Sequence, residues 1–131
     1  MDGDGSLDLF WMTDTAQRLL RSDGRKFVDV TQQSGALAAK FNGTPVGAVA
    51  GDFDNDGKPD LFVIRAGSLS LYHNEGDGKF SDLTDNASIP AYPFLPSSVA
   101  SVDVDHDGDL DIFITGIADL SQGPKSGSAA A

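Results

Sequence analysis

Hydrophobic residues occur in short runs along this chain, and turn signals separate the runs at intervals of roughly ten residues. The runs "LFVIR" (61–65) and "IFITG" (112–116) are rich in β-branched residues and Phe, which is typical of buried β-strands. Apolar and polar residues alternate in "LSLYHN" (69–74) and "KFSDLT" (79–84), and the residues that join them, "NEGDGK", have the composition of a hairpin turn. The pattern therefore predicts antiparallel hairpins of short strands and an all-β fold.

The same pattern recurs at a spacing of about fifty residues. With Gly5, Gly57 and Gly108 aligned, the segments "MDGDGSLDLF", "DFDNDGKPDLF" and "DVDHDGDLDIF" fall on one another, in steps of 52 and 51 residues. Farther along, "RLLRSDGRKFVDVT" (18–31) matches "LYHNEGDGKFSDLT" (71–84). This match favours a strand rather than a helical turn for "TAQRLLRS" (15–22). Four short strands per repeat predict radially repeated four-stranded sheets, which is the architecture of a β-propeller.

The repeat boundaries divide the chain into four predicted parts. Residues 1–46 form a partial blade that begins inside its acidic loop, residues 47–96 a complete blade, residues 97–120 the first two strands of a further blade, and residues 121–131 a flexible linker. Such an array is expected to be a partial propeller or one completed by oligomerisation. In the second case the strand at 97–104 of one copy would complete the first blade of the next. A homo-oligomer of two, three or four chains would then contain four, six or eight blades.

Each repeat carries an aspartate-rich loop: loop 1 (residues 2–8), loop 2 (52–60) and loop 3 (103–111). In the two complete loops carboxylates occupy positions 1, 3, 5 and 9, a glycine at position 6 permits a sharp turn, and position 7 offers its backbone carbonyl. Four carboxylates so close together repel one another unless a cation lies among them. The spacing therefore predicts metal sites. The predicted ligands are Asp52, Asp54, Asp56, Asp60 and the Lys58 carbonyl in loop 2, and Asp103, Asp105, Asp107, Asp111 and the Asp109 carbonyl in loop 3.

The donor atoms of these loops predict Ca²⁺ as the ion. Calcium is a hard cation that takes six to eight oxygen ligands in uneven geometry, whereas zinc favours His and Cys. The histidine of loop 3, His106, lies at position 4, which points outward in such loops. An EF-hand would need a carboxylate at position 12 and helices on both sides, but position 12 is Val63 or Ile114, inside a predicted strand. The helix-opening mechanism of calcium sensors therefore does not apply.

The composition narrows the function classes further. The net charge of −11 makes nucleic acid an unfavoured partner, and the acids are 19 Asp against the single Glu75, as expected of turns and oxygen-ligand loops. The absence of cysteine excludes disulfides and thiolate metal sites, and the absence of an apolar run near 18 residues argues against membrane insertion. With only His73 and His106 as imidazoles and no G-x-S-x-G segment, the chain is not expected to be an enzyme.

The motif "(F/V)-D-x-D-G-x-x-D-L-F-V" followed by "L-Y-x-N-x-G-D-G-x-F-x-D-(L/V)-T" resembles the FG-GAP or VCBS repeat. That family includes the blades of integrin α-subunit propellers and many bacterial secreted and surface proteins, and the resemblance covers roughly residues 1–118. It implies a seven-bladed propeller in full-length relatives, with structural Ca²⁺ in the hairpin between the first two strands of a blade. It implies the same ligands in loops 2 and 3, and adds Asp2, Asp4 and Asp8 of loop 1, which match part of the pattern.

The resemblance also implies a binding or adhesion scaffold for a protein or carbohydrate, in an extracellular, periplasmic or cell-surface setting. Its partners would be neighbouring blades of a longer chain or further copies of this one, and a lectin-like ring or a part of a larger secreted enzyme are the alternatives. The aromatic candidates for sugar binding are Trp11, Tyr72 and Tyr92. Trp11 and Tyr72 are predicted to pack between blades, and Tyr92, in "IPAYPFLP", to reach the surface.

Overall fold

The computed structural model describes residues 1–119, which form three antiparallel β-sheets that follow one another along the chain. Sheet one contains β1 (Leu9–Met12), β2 (Gln17–Ser22) and β3 (Phe27–Asp29). Sheet two contains β4 (Pro45–Gly51), β5 (Asp60–Arg65), β6 (Ser68–Gly76) and β7 (Lys79–Asp82), and sheet three contains β8 (Phe94–Val102) and β9 (Asp111–Asp119). Within each sheet, strands that are consecutive in sequence pair with each other.

The predicted all-β fold is confirmed, since residues 1–119 contain no α-helix and only two 3-10 helices, Thr31–Gln33 and Ala36–Ala38. The segment 15–22 contains a strand, as its repeat counterpart indicated, and "NEGDGK" contains the turn between β6 and β7. The predicted linker at 121–131 lies outside the described residues. The four-part division of the chain stays a prediction.

Hydrogen bonds of the threonine explain why the second motif, "K-F-x-D-(V/L)-T", is repeated. In the first repeat the hydroxyl of Thr31 donates to Asp29 Oδ1 at 2.6 Å and accepts from the backbone N–H of Leu19 at 3.0 Å. In the second repeat the hydroxyl of Thr84 accepts from the N–H of Leu71 at 3.1 Å. Each threonine thus takes up a strand N–H just beyond the end of β3 or β7, so the motif closes the outer hairpin of its sheet.

The main core lies where sheet one meets sheet two. Its buried side chains come from both sheets and from the second 3-10 helix: Leu19, Leu37, Leu61, Val63, Tyr72 and Phe80. Tyr72 is only 5% exposed, so its predicted packing between blades is confirmed. Beside this core the buried guanidinium of Arg65 donates to Gln17 Oε1 at 2.7 Å, and Gln17 donates to the carbonyl of Leu37 at 3.0 Å. The two sheets are therefore joined by polar as well as apolar contacts.

The outer sheets leave apolar side chains uncovered. Trp11 is 49% exposed, so its predicted burial between blades is wrong. The reason is the alternation of β1, in which Phe10 and Met12 pack toward the core while Leu9 and Trp11 point to the other face. Large apolar side chains are also exposed elsewhere on or beside sheets one and three, at Leu7, Phe27, Val28, Phe94, Val102, Val104, Phe113 and Ile117.

Candidate metal centre

The three aspartate-rich loops share one backbone conformation. Loops 2 and 3 connect the two strands of a hairpin, β4 to β5 and β8 to β9, and loop 1 precedes β1. Position 4 has positive φ in every loop, at Gly3 (82°), Asn55 (60°) and His106 (61°). Position 6 is a glycine with positive φ in every loop, from 82° to 99°. Glycine and asparagine tolerate this left-handed conformation, so the sequence permits the tight fold that turns the carboxylates toward one another.

Loop 2 brings four of its predicted ligands together. Oxygen atoms of Asp52, Asp54 and Asp56 lie within 4.8 Å of one another, and Asp60 belongs to an overlapping group that contains Asp54. Asp52 accepts the N–H groups of Asp56 at 3.0 Å and Gly57 at 2.9 Å, which fixes its carboxylate at the entry of the loop.

Asp60, at the end of loop 2, is the most enclosed carboxylate of the loop and is 2% exposed. Its Oδ1 accepts the N–H of Asn74 at 2.7 Å, and its Oδ2 accepts the N–H of Phe53 at 3.3 Å. Two backbone donors therefore hold this carboxylate in place from β6 and from the loop itself.

Two basic side chains also meet the carboxylates of loop 2. The ammonium of Lys58 donates a hydrogen bond to Asp56 Oδ2, and this bond lowers the pKa of Asp56 and raises that of Lys58. His73 places its Nδ1 3.1 Å from Asp54 Oδ2 and 3.2 Å from Asp60 Oδ1. A cation in loop 2 would therefore compete with the ammonium of Lys58. The role of the Lys58 carbonyl as a ligand stays a prediction.

Loop 3 forms a group of oxygen atoms only. Carboxylate oxygens of Asp103, Asp105 and Asp111 lie within 4.8 Å of one another. Asp103 Oδ2 accepts the N–H of Gly108 at 3.1 Å, but Asp103 Oδ1 is buried and has no hydrogen-bond partner among the described residues. A buried carboxylate oxygen without a partner is costly, and a hard cation among these oxygens would satisfy it. The donor set thus fits Ca²⁺.

Two further residues of loop 3 do not belong to this group. Asp107 Oδ1 accepts the N–H of Asp109 at 2.9 Å, and the carboxylate of Asp109 accepts the side-chain amide of Asn55 from loop 2. Their roles as ligands, through the Asp107 side chain and the Asp109 carbonyl, stay predictions.

Two carboxylates of loop 1 lie beside positively charged groups of the protein. The carboxylate of Asp8 pairs with the amino group of Met1 and accepts the N–H of Ser22 at 3.0 Å, and Arg21 Nε lies 3.9 Å from Asp2 Oδ2. Burial alone would raise the pKa of Asp8, but these hydrogen bonds outweigh it and the pKa is lowered. In the described part of the chain, every group of three close metal-ligating side chains contains aspartates of loop 2 or loop 3, and none contains an aspartate of loop 1. Metal binding by Asp2, Asp4 and Asp8 stays a prediction.

Sequence reasoning assigned His73 only to a strand and missed its place at loop 2. The pairing of β5 with β6 sets Leu61 opposite Tyr72, so the next pair along the hairpin is Asp60 and His73. Counting outward from the turn after Arg65 would have found this neighbour.

A separate cleft of about 410 Å³ lies on the opposite end of sheet two from loop 2, beside the turn between β5 and β6. Its lining includes Arg65, Asp85, Ser88 and Tyr92. Tyr92 is half-buried, packs edge-to-face on Phe94 with ring centres 5.4 Å apart, and donates its hydroxyl to the carbonyl of Ile114 at 3.3 Å. Tyr92 thus lines this cleft with part of its side chain accessible.

The model of one protein family matches the chain twice. The family is described as the FG-GAP-like repeat, and the matches span residues 1–63 and 52–114. Both matches contain loop 2 and most of β5, and together they cover all three loops. A comparison with curated proteins gave no match. Within residues 1–119, no helix has the length and apolar character needed to cross a bilayer.

Proposed function

The chain belongs to the FG-GAP-like repeat family, and on that premise we propose that it is a calcium-stabilised β-propeller module that serves as a binding scaffold. FG-GAP repeats fold as propeller blades and form a structural and binding family. They are typically extracellular domains, which is the setting we propose for this chain.

The observation that carries the proposal is the oxygen group of loop 3. Asp103, Asp105 and Asp111 converge there, and the buried Asp103 Oδ1 has no partner among the described residues. Ca²⁺ in this loop would neutralise the carboxylates and hold the start of β9 against the end of β8. The carboxylates of loop 2 would hold a second ion between β4 and β5.

Calcium in these loops would have a structural role of appreciable size. Extracellular calcium modules have Kd values of about 0.1–1 mM. At about 2 mM Ca²⁺ and a Kd of about 0.1 mM, each site would stabilise the fold by about 1.8 kcal/mol. Two such ions would contribute a sizeable part of the stability of a small protein.

Unfolding in the presence and absence of calcium tests the proposal. We expect the midpoint of thermal unfolding to fall when 2 mM Ca²⁺ is replaced by a chelator, and calorimetry to detect binding to loops 2 and 3. Asp103→Asn should abolish binding to loop 3. Asp14→Asn, in the turn between β1 and β2, is the control and should leave both sites intact. An unfolding midpoint that is the same in calcium and in chelator would refute the proposal.

A second candidate function is self-assembly into a closed ring, which we propose from the apolar side chains left uncovered on sheets one and three. Trp11 on β1 and Ile117 on β9 are 49% and 73% exposed. Exposed apolar side chains of this size are typical of interaction surfaces. We propose that a second copy of the chain covers these faces head to tail, with the cleft near Tyr92 open for a protein or carbohydrate ligand.

Light scattering tests the assembly. We expect a discrete oligomer in 2 mM Ca²⁺ that dissociates or aggregates after chelation, because loops 2 and 3, which connect strands of sheets two and three, would lose their ions. Trp11→Ser and Ile117→Ser should each lower the molar mass. Val28→Ser should not, because the pairing of β1 and β3 with β2 places Val28 on the opposite face of sheet one from Trp11. A stable monomer in both conditions would exclude the ring.

A further inference from the structure

His73 differs from the other side chains at the three loops because it places an imidazole nitrogen beside the carboxylates of two aspartates. Its Nδ1 atom is buried and has no hydrogen-bond partner, although Asp54 Oδ2 and Asp60 Oδ1 lie only 3.1 and 3.2 Å away. Both contacts are within ion-pair distance, but neither has the geometry of a hydrogen bond. A buried nitrogen facing two carboxylate oxygens without hydrogen-bond geometry has the arrangement of a ligand set.

The separations between His73 Nδ1 and the two carboxylate oxygens match those around a small divalent ion. Metal–nitrogen and metal–oxygen bonds of about 2.0–2.1 Å place neighbouring ligand atoms about 3.3 Å apart in a tetrahedron. The two nitrogen–oxygen separations, 3.1 and 3.2 Å, are close to that value. An imidazole with two carboxylates is a donor set that suits first-row transition metals, whereas Ca²⁺ prefers oxygen alone.

The three ligands are held by the strands around them. Asp60 is fixed by the N–H groups of Asn74 and Phe53. Asn74 is fully buried, and its side-chain amide donates to the carbonyl of Pro59 at 2.9 Å. His73 stands next to Asn74 on β6 and opposite Asp60 in the hairpin, so its backbone is fixed by the same contacts. Such surrounding hydrogen bonds orient metal ligands and raise the affinity of the site.

The residue of the first repeat that is equivalent to His73 also lies beside an aspartate of its loop. Leu20 pairs with Leu9 as Tyr72 pairs with Leu61, so by the hairpin register Arg21 stands where His73 stands. Its Nε lies 3.9 Å from Asp2, the counterpart of Asp54. A guanidinium supplies positive charge to the loop but has no lone pair for a metal. In the range 1–119, loop 2 alone combines an imidazole with two carboxylates, and loop 3 offers oxygen atoms only.

We propose that loop 2 holds a divalent transition-metal ion through His73 Nδ1, Asp54 Oδ2 and Asp60 Oδ1, with Zn²⁺ as the ion to test. The site shares two carboxylates with the proposed calcium site of loop 2, so the two ions exclude each other there. Loop 3 keeps its preference for Ca²⁺. The transition-metal site stands on its own geometry and does not depend on calcium binding.

Zinc titration of the chain, without a polyhistidine tag, tests the proposal. We expect His73→Gln to weaken Zn²⁺ binding by about tenfold or more, because it removes the nitrogen ligand. The matched control is His106→Asn, which removes the other histidine and places in loop 3 the residue that loop 2 has at the same position. This control should bind Zn²⁺ as the wild type does, and the calcium affinity of loop 3 should be the same in both variants.

Nuclear magnetic resonance of the two imidazole rings gives a second readout in the unaltered chain. Zn²⁺ should shift the ¹⁵N resonance of His73 Nδ1 and leave His106 unchanged, even if His73→Gln does not fold. Unchanged zinc affinity in a folded His73→Gln, or a His73 Nδ1 resonance that ignores Zn²⁺, would overturn the proposal. Zinc binding at His73 with no calcium binding anywhere would instead end the calcium proposal and leave this one standing.

Discussion

The side-chain amide of Asn55 donates a hydrogen bond of 2.6 Å to Asp109 Oδ1, and so joins loop 2 of one sheet directly to loop 3 of the next. Asn55→Gly should remove this bond without disturbing the loop, because glycine also accepts the φ of 60° found there. We expect the free energy of unfolding to fall by about 1 kcal/mol, measured with urea. His106→Gly, at the same position of loop 3, is the control for the backbone effect of glycine. Equal losses in both variants would mean that the bond between the loops contributes nothing.

Lys58 occupies a carboxylate oxygen that a metal ion in loop 2 would use. Lys58→Met should therefore raise the calcium affinity of loop 2 by about twofold to fivefold, the modest effect expected of an exposed ion pair. Calorimetry at low salt would measure it, and the gain should shrink at high salt because the pair is screened. Lys26→Met, in the turn between β2 and β3, is the control, because it shows how much the loss of a positive charge outside loop 2 strengthens calcium binding at long range. A gain no larger than that of Lys26→Met would contradict a local competition.

Thr31 and Thr84 close equivalent hairpins but differ in burial, and this difference predicts the sizes of two effects. Thr31→Val leaves the N–H of the buried Leu19 without an acceptor, which should cost about 1–3 kcal/mol. Thr84→Val deprives the half-buried Leu71 of the same acceptor, and since water can replace it there, we expect about 0.5–1.5 kcal/mol. Urea unfolding of the two variants compares them directly. A larger loss for Thr84→Val would contradict the role given to burial.

The lowered pKa of Asp29 predicts that the fold loses stability in acid. Hydrogen bonds from the hydroxyl and N–H of Thr31, with a smaller contribution from Arg18, lower the pKa of Asp29 below its ordinary value. A carboxyl group whose pKa is lowered in the folded state stabilises the fold above its unfolded pKa of about 3.9, and this stability is lost as the pH falls through the folded pKa. Unfolding measured in chelator between pH 5 and pH 2 should therefore show a weaker pH dependence for Asp29→Asn. Arg18→Gln should keep most of the pH dependence. If Arg18→Gln instead abolished it, Arg18 would be the main cause of the lowered pKa.

Much of the fold was predictable because it is encoded locally and repeated. The apolar runs that became β5 and β9 are rich in β-branched residues and Phe, and the second repeat corrected the ambiguous segment 15–22. Trp11 was mispredicted because the alternation of β1 decides which face it joins, and nothing in its own neighbourhood says which face is covered.

The candidate site was predictable in its loops and not in its surroundings. The spacing of the aspartates is a local property, whereas His73 reaches Asp60 only through the register of a hairpin. The bond from Asn55 to Asp109 joins residues 54 positions apart and depends on how two sheets lie side by side. Contacts of that kind follow from packing between repeats, which the sequence of one repeat does not contain.

The buried contact between Arg65 and Gln17 has a consequence for how this chain can evolve. Counted by the repeat, Gly116 stands where Arg65 stands and Leu69 stands where Gln17 stands. The contact therefore exists between sheets one and two and has no equivalent between sheets two and three. A duplicate of the second repeat would bury the guanidinium of Arg65 beside Leu69, which cannot accept its hydrogen bond. The order of the repeats is therefore inherited together with their sequences, and recombination within the array would be selected against at this junction.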